Sequence, residues 1–295
     1  MTARCRCAVR LMAAAVVLAV IAFVGDFSIP VLSARQAPSA AAAASPATPQ
    51  LSLEQQEEFL KKAKILKARG AGKGVTNTLR ATLSDGTITH DASIQTIDVF
   101  MQEFKSKQGV EFNFRDSWRY NVAGYRMDRL LDIGMTPPSI ERNYQNKPAS
   151  FTWWVDDVIM DEGERLKSKT PAPNVELWNE QMWVVRLFDQ LIYNVDRNLG
   201  NLLIDKNWTV WMIDHSRAFR LFDKVKTPEN ITKCERRVFE KLKALDAATV
   251  KSAMGDYLTG PEIRGMLMRR DELVKLIEKA GPTALYDRRW VTTTQ

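Results

Sequence analysis

From Leu51 onward the apolar positions change period several times, and each change predicts an element. Ser52 with Gln55 has the spacing of a capping box ahead of the helical stretch 54–63, EQQEEFLKKA. Lys64–Arg69 reads as a strand, because β-branched Ile65 precedes the glycine cluster Gly70, Gly72 and Gly74. Leu79–Leu83 alternates apolar and polar, Ser84-Asp85-Gly86 is a turn, and Thr87–Ile97 is rich in strand formers. Residues 64–97 therefore predict strand, glycine loop, strand, tight turn, strand. A helix is expected over Ser117–Ile133, closed by Gly134 and the stop at Pro137-Pro138. Ser139–Arg142 and Ser150–Ile159 are expected strands. In Asn174–Tyr193, Leu177, Trp178, Met182, Val185, Phe188, Leu191 and Ile192 recur every three or four residues, which predicts a long helix. Leu202–Ile204 and Trp208–Ile213 flank a turn at Lys206-Asn207. Helical patterns follow at 232–245 and 247–257, and a last helix runs from Thr259 and Pro261 to Gly281-Pro282. The chain opens β-rich and closes helical, so the expected class is α+β with two lobes, 51–155 and 156–295.

The N-terminus departs from this pattern. A basic stretch with Arg4, Arg6 and Arg10 precedes the apolar run Leu11–Gly25, which suits the core of an export signal and is short for a spanning helix. Residues 1–34 are thus expected to be a signal peptide, cleaved near Val31-Leu32-Ser33. The alternative is a signal anchor, the run extended across Asp26 to Leu32. Residues 35–50 are an Ala/Pro/Ser tract that reads as a disordered tether. The expected location is outside the cytoplasm, with any membrane contact only through the N-terminus.

Composition narrows the chemistry. The chain has 295 residues, 45% hydrophobic and 26% charged, which excludes a wholly disordered or multi-span protein. The net charge of +7 has no Lys/Arg block behind it, so no nucleic-acid partner is expected. Beyond the leader only Cys234 remains, and the histidines are His90 and His215, which excludes Cys-pair zinc and histidine-rich metal sites.

The candidate chemistry lies in 189–219. Asp196 and Arg197 follow the long helix, Asn201 lies five residues after Asp196, and Asp214 directly follows the second short strand. A hairpin centred near residue 207 would set Asn201 opposite Asp214. An amide oxygen and a carboxylate would then meet at one end of a β-ribbon, a hard-oxygen pair suited to Mg²⁺, with Asp196 spare to orient or deprotonate a hydroxyl.

Asp-Arg-x-x-x-Asn followed by Ile-Asp-His closely resembles the atypical branch of the kinase superfamily, which includes phosphatidylinositol 3/4-kinases, HipA-type Ser/Thr kinases and secretory-pathway Golgi kinases. The resemblance is most specific over 185–220. It implies a protein-kinase-like fold with a small β-rich N-lobe and a larger, mainly helical C-lobe, and transfer of the γ-phosphoryl of ATP, with Mg²⁺, to a hydroxyl on a protein, lipid or sugar. On this reading Asp196 is the catalytic base, Arg197 braces its loop, and Asn201 and Asp214 hold the metal. Gly70, Gly72, Lys73 and Gly74 fall where a glycine-rich loop covers the nucleotide phosphates. Asp128 lies on the helix that carries the acidic partner of the phosphate lysine, and the strand Ser150–Ile159 is where adenine is contacted.

The sequence departs from the family at one important place. Gln95 stands where the phosphate-gripping lysine belongs, and a neutral amide does not neutralise phosphate charge. Lys73 is the best placed substitute and Arg80 a weaker one. Without a substitute, the chain is expected to be an exported pseudokinase, a binding module that keeps the fold without catalysis. His215-Ser216 also replaces the Phe-Gly of ordinary protein kinases.

Overall fold

The computed structural model describes residues 51–71, 78–106, 109–194 and 197–290. Helix α1 (Leu53–Lys62) opens it, and Ser52 and Gln55 form the expected capping box: Gln55 N donates to Ser52 Oγ and Ser52 N to Gln55 Oε1. Strands β1 (Lys64–Gly70), β2 (Leu79–Ser84) and β3 (Thr89–Gln95) follow, then a hairpin of β4 (Asp98–Ser106) and β5 (Gly109–Ser117), and helix α2 (Arg119–Leu131). Strands β6 (Ser139–Tyr144) and β7 (Lys147–Trp153) return to the first sheet, whose antiparallel order is β1-β2-β3-β7-β6. Period-2 alternation buries Ala81 and Leu83 of β2, Ala92 and Ile94 of β3, and Ala149, Phe151 and Trp153 of β7 on one face. Phe59 and Leu60 of α1 cover that face.

A second, larger core follows. Strand β8 (Val158–Asp161) leads into α3 (Glu162–Ser168) and the long α4 (Val175–Ile192). Strands β9 (Leu202–Asp205) and β10 (Val210–Met212) form a hairpin that joins β8 in the order β10-β9-β8. Helices α5 (Arg236–Ala244), α6 (Ala247–Met254) and α7 (Gly260–Ala280) complete it. Helix α4 starts at the Asn174 cap, whose side chain accepts from Leu177 N, and ends in left-handed Tyr193. Its apolar stripe, with Val184, Val185, Phe188, Leu191 and Ile192, packs with Leu202, Ile204, Val210 and Met212 of the hairpin. Trp118, Tyr120 and Met127 of the α2 region join this second core, although they come early in the chain.

The α+β class matches expectation, and three local expectations do not. The expected strand Ser150–Ile159 is broken. It leaves the first sheet after Trp153, turns through left-handed Asp157, and enters the other sheet as β8. The expected helix at 232–245 starts only at Arg236, because Cys234 and Glu235 pair in parallel with Leu285 and Tyr286. The β4–β5 hairpin was not foreseen. Phe100, Met101, Val110 and Phe112 are all exposed, so it carries no one-sided alternation for the sequence to show. Among the described residues no helix is long and apolar enough to cross a membrane. The N-terminal apolar run lies outside those residues.

Candidate functional site

A cleft of about 490 Å³ runs between the two sheets, lined by Thr78, Ser93, Gln95, Asn121 and Thr152 on one side and by Asp161, Asn198, Asn201 and Asp214 on the other. Its size is that of small-molecule sites. The residues that form it come from distant parts of the chain, and each is placed by a local device.

The β9–β10 hairpin supplies Asn201 and Asp214. Asp205 shapes its turn: Oδ1 accepts from Asn207 N at 2.8 Å and Thr209 N at 3.0 Å, and Oδ2 from Trp211 Nε1 at 3.1 Å. The resulting register pairs Met212 with Leu202, and Ile213 N donates to Asn201 O at 3.1 Å. Asn201 therefore faces Ile213, which corrects the expected one-to-one pairing with Asp214 by one residue. Asp214 has φ 53°, so the chain turns just past the strand. Both side chains are half-buried and both residues line the cleft.

Arg197 is the brace of this corner. Its Nη1 donates to Asn201 O at 3.1 Å and Ile213 O at 2.8 Å, while Nε and Nη2 grip the carboxylate of Asp189 on α4. The ion pair is nearly out of solvent. Burial raises the Asp189 carboxyl, and Arg197 pulls it back down. With its guanidinium so engaged, Arg197 acts on the hairpin ends and not on a ligand. Asp196, the expected base, lies outside the described residues, as do Gly72, Lys73 and Gly74. Gly70 ends β1, and Ala71 and Thr78, joined by Ala71 N to Thr78 O at 2.9 Å, both line the cleft.

Asp128 is not the partner the resemblance implied. Its carboxylate accepts from Gly134 N at 2.8 Å and from Met135 N and Thr136 N at 2.9 Å, which ties the end of α2 to the following loop. It does not line the cleft. Burial pushes its carboxyl up to about 6, against the pull of those N–H groups. The α2 residue that meets Gln95 is Asn121, one side-chain amide donating to the other. Asn121 also accepts from His215 N at 2.8 Å, immediately after Asp214. Asn121 was missed because it shares a helix face with Asp128, seven residues on, and the sequence does not say which end of α2 meets β3.

His215 is buried against Gly124, where a Cβ would lie 2.9 Å from its Cγ, and edge-on to Phe188. Burial holds its imidazole well below the usual histidine range, hence neutral. Arg80 pairs with Asp91, Nε to Oδ2 at 2.6 Å, and lies over Trp154, so it does not serve as the substitute cation inside the cleft. The charged residues lining the cleft, among the described ones, are Asp161, Glu164 and Asp214. Asp161 and Glu164 also form the capping box of α3.

The donor set suits a hard divalent cation. Asn201 and Asp214 offer an amide oxygen and a carboxylate at one cleft corner, a pair of the donor type hard divalent cations take. Among the described residues no group of three or more His, Cys, Asp or Glu offers a metal cage independent of a ligand.

No protein-family model and no curated protein matches the sequence. Solved structures do resemble it. Hydra Fam20, solved with sugar, aligns with a TM-score of 0.60 at 14% identity over 81% of this chain and 93% of that one. The Golgi casein kinase with Mn/ADP bound aligns with a TM-score of 0.54 at 12% identity over 78% of this chain and 76% of that one. The chain shares the fold of these two structures. At these identities the likeness is one of fold.

Proposed function

We propose that this chain is an ATP- and Mg²⁺-dependent phosphotransferase of the atypical kinase type. The observation that carries the reading is the convergence of Asn201 and Asp214 at one corner of a cleft whose lining also includes Ala71, Thr78 and Gln95. Asn201 and Asp214 would hold the divalent cation, which when bound offsets phosphate charge. Asp196 would orient the acceptor hydroxyl and take its proton. Arg197 would keep the two metal-holding corners in register through their backbone oxygens. Gly70, Gly72, Lys73 and Gly74 would close over the phosphates. The Mn/ADP held by the Golgi casein kinase supports this assignment of cofactor. The lobes would divide near residue 155, and the leader 1–34 would direct the chain out of the cytoplasm, in keeping with the Golgi compartment named for that kinase.

A second reading is favoured by one observation. Gln95, in place of lysine, is bonded to Asn121, so the usual cation–carboxylate pair is replaced by two neutral amides. A pseudokinase that binds nucleotide without transferring phosphate would tolerate this. The two readings separate in a phosphate-transfer assay with ATP and Mg²⁺ on a generic protein and sugar acceptor panel. Transfer that Asp214→Ala and Asp196→Ala both abolish supports the enzyme. Nucleotide-dependent melting without transfer supports the binding module. Transfer unaffected by Asp214→Ala removes the metal assignment.

A further inference from the structure

The amide of Gln95 has a polarity fixed from a distance. A backbone N–H only donates, so His215 N, 2.8 Å from Asn121 Oδ1, sets the Asn121 oxygen towards itself. Asn121 Nδ2 is thereby turned to Gln95 Oε1 and, at 3.3 Å, to Ser150 Oγ. Gln95 must then face Thr78 Oγ1, at 2.9 Å, with its Nε2. Both amides are buried, Gln95 at 5% exposure and Asn121 at 6%, so neither turns over without opening the site. Gln95 lines the cleft, and the end it presents is an N–H donor without charge.

Among the described residues the surroundings do not supply the missing charge. The charged residues that line the cleft among the described ones are carboxylates, and Arg80 and Arg197 are committed to Asp91 and Asp189. A nucleotide polyphosphate entering alone would meet like charge in a partly desolvated space.

We infer that this cleft binds nucleotide only together with a divalent cation, Gln95 giving its Nε2–H to a phosphate oxygen as a neutral contact and Asn121 acting as the positioning residue that aims it. This rests on the nucleotide reading above and deepens it. In a site with a buried lysine, side chain and cation share the phosphate charge; in this one, among the described residues, the cation carries that load, and removing it leaves hydrogen bonding against three carboxylates.

The test is calorimetric titration of the full chain with ADP, in Mn²⁺ and in EDTA. Chelation is expected to weaken ADP binding by about 100-fold or more. The near-isosteric double variant Gln95→Lys/Asn121→Asp restores a charge pair and still accepts from His215 N; its Mn²⁺-to-EDTA ratio is expected to fall below about 10-fold. Gln95→Glu, which removes the donor and adds like charge, is expected to weaken Mn²⁺–ADP binding by about 10-fold or more, read on protein that circular dichroism shows to be folded. This arm stands even if the double variant does not fold. Wild-type ADP binding in EDTA within about 10-fold of that in Mn²⁺ overturns the inference and leaves the nucleotide reading intact. An unchanged ratio in a folded double variant overturns it too, as does unchanged affinity in Gln95→Glu. ADP binding in neither condition overturns both.

Discussion

Arg197 and Asp189 form a two-point ion pair beneath the cleft, with Nε 3.0 Å from Oδ2 and Nη2 3.0 Å from Oδ1. The same guanidinium holds the backbone oxygens of Asn201 and Ile213. One side chain thus links the end of α4 to both strands of the β-ribbon at its open end, and the two candidate metal ligands inherit their spacing from it.

Asp189→Ala would leave that guanidinium buried without a counter-charge. A loss of ~3–5 kcal/mol in unfolding free energy is expected, measured by urea denaturation. Asp189→Asn keeps an acceptor and should lose less. A loss under about 1 kcal/mol for Asp189→Ala, the level of an exposed pair, would show that the pair is not the brace described.

The Asp128 carboxyl makes stability depend on pH in an unusual direction. Its folded value is raised from 3.8 to about 6, so the native state holds the proton more tightly than the unfolded chain. The advantage is full below 3.8 and is lost as pH climbs through about 6. Wild type should therefore lose up to about 3 kcal/mol relative to Asp128→Asn between pH 4 and pH 7. Urea midpoints for both proteins across that range check this, and a gap that stays constant with pH refutes it.

Gly124→Ala tests the packing that fixes the residue after Asp214. The added Cβ would sit 2.9 Å from His215 Cγ, deep in the core, where the ring cannot move into solvent. The expected cost is ~1–3 kcal/mol in thermal or urea unfolding, with a parallel loss of Mn²⁺-dependent ADP binding as His215 N shifts from Asn121. A stable variant with wild-type binding would mean that the contact relaxes freely.

Asp205→Ala removes the acceptor that forms the β9–β10 turn and leaves the Trp211 indole N–H, and the N–H groups of Asn207 and Thr209, to find other partners. Asp205 is 1% exposed. A destabilisation of ~2–4 kcal/mol is expected by denaturation, with weaker metal-dependent nucleotide binding because the turn sets the register that ends at Asn201. Asp205→Asn, which keeps one acceptor, should recover part of both.

The local signals were legible because they are short-range. The Ser52–Gln55 cap, the turn at Ser84-Asp85-Gly86, the stripe of α4 and the two short strands around Lys206-Asn207 each depend on residues a few positions apart, so propensity and periodicity determined the α+β class and the hairpin that bears the candidate site. Tertiary structure decided the rest. Whether Asn121 or Asp128 meets Gln95 depends on which end of α2 faces the sheet, and both lie on the same helical face. Whether Arg80 reaches the cleft depends on Asp91 across the β2–β3 ladder. Whether Asn201 faces Ile213 or Asp214 depends on how many residues the buried Asp205 draws into the turn. These contacts are set by packing, by strand register and by which face each element presents, and the local pattern of residues does not specify them.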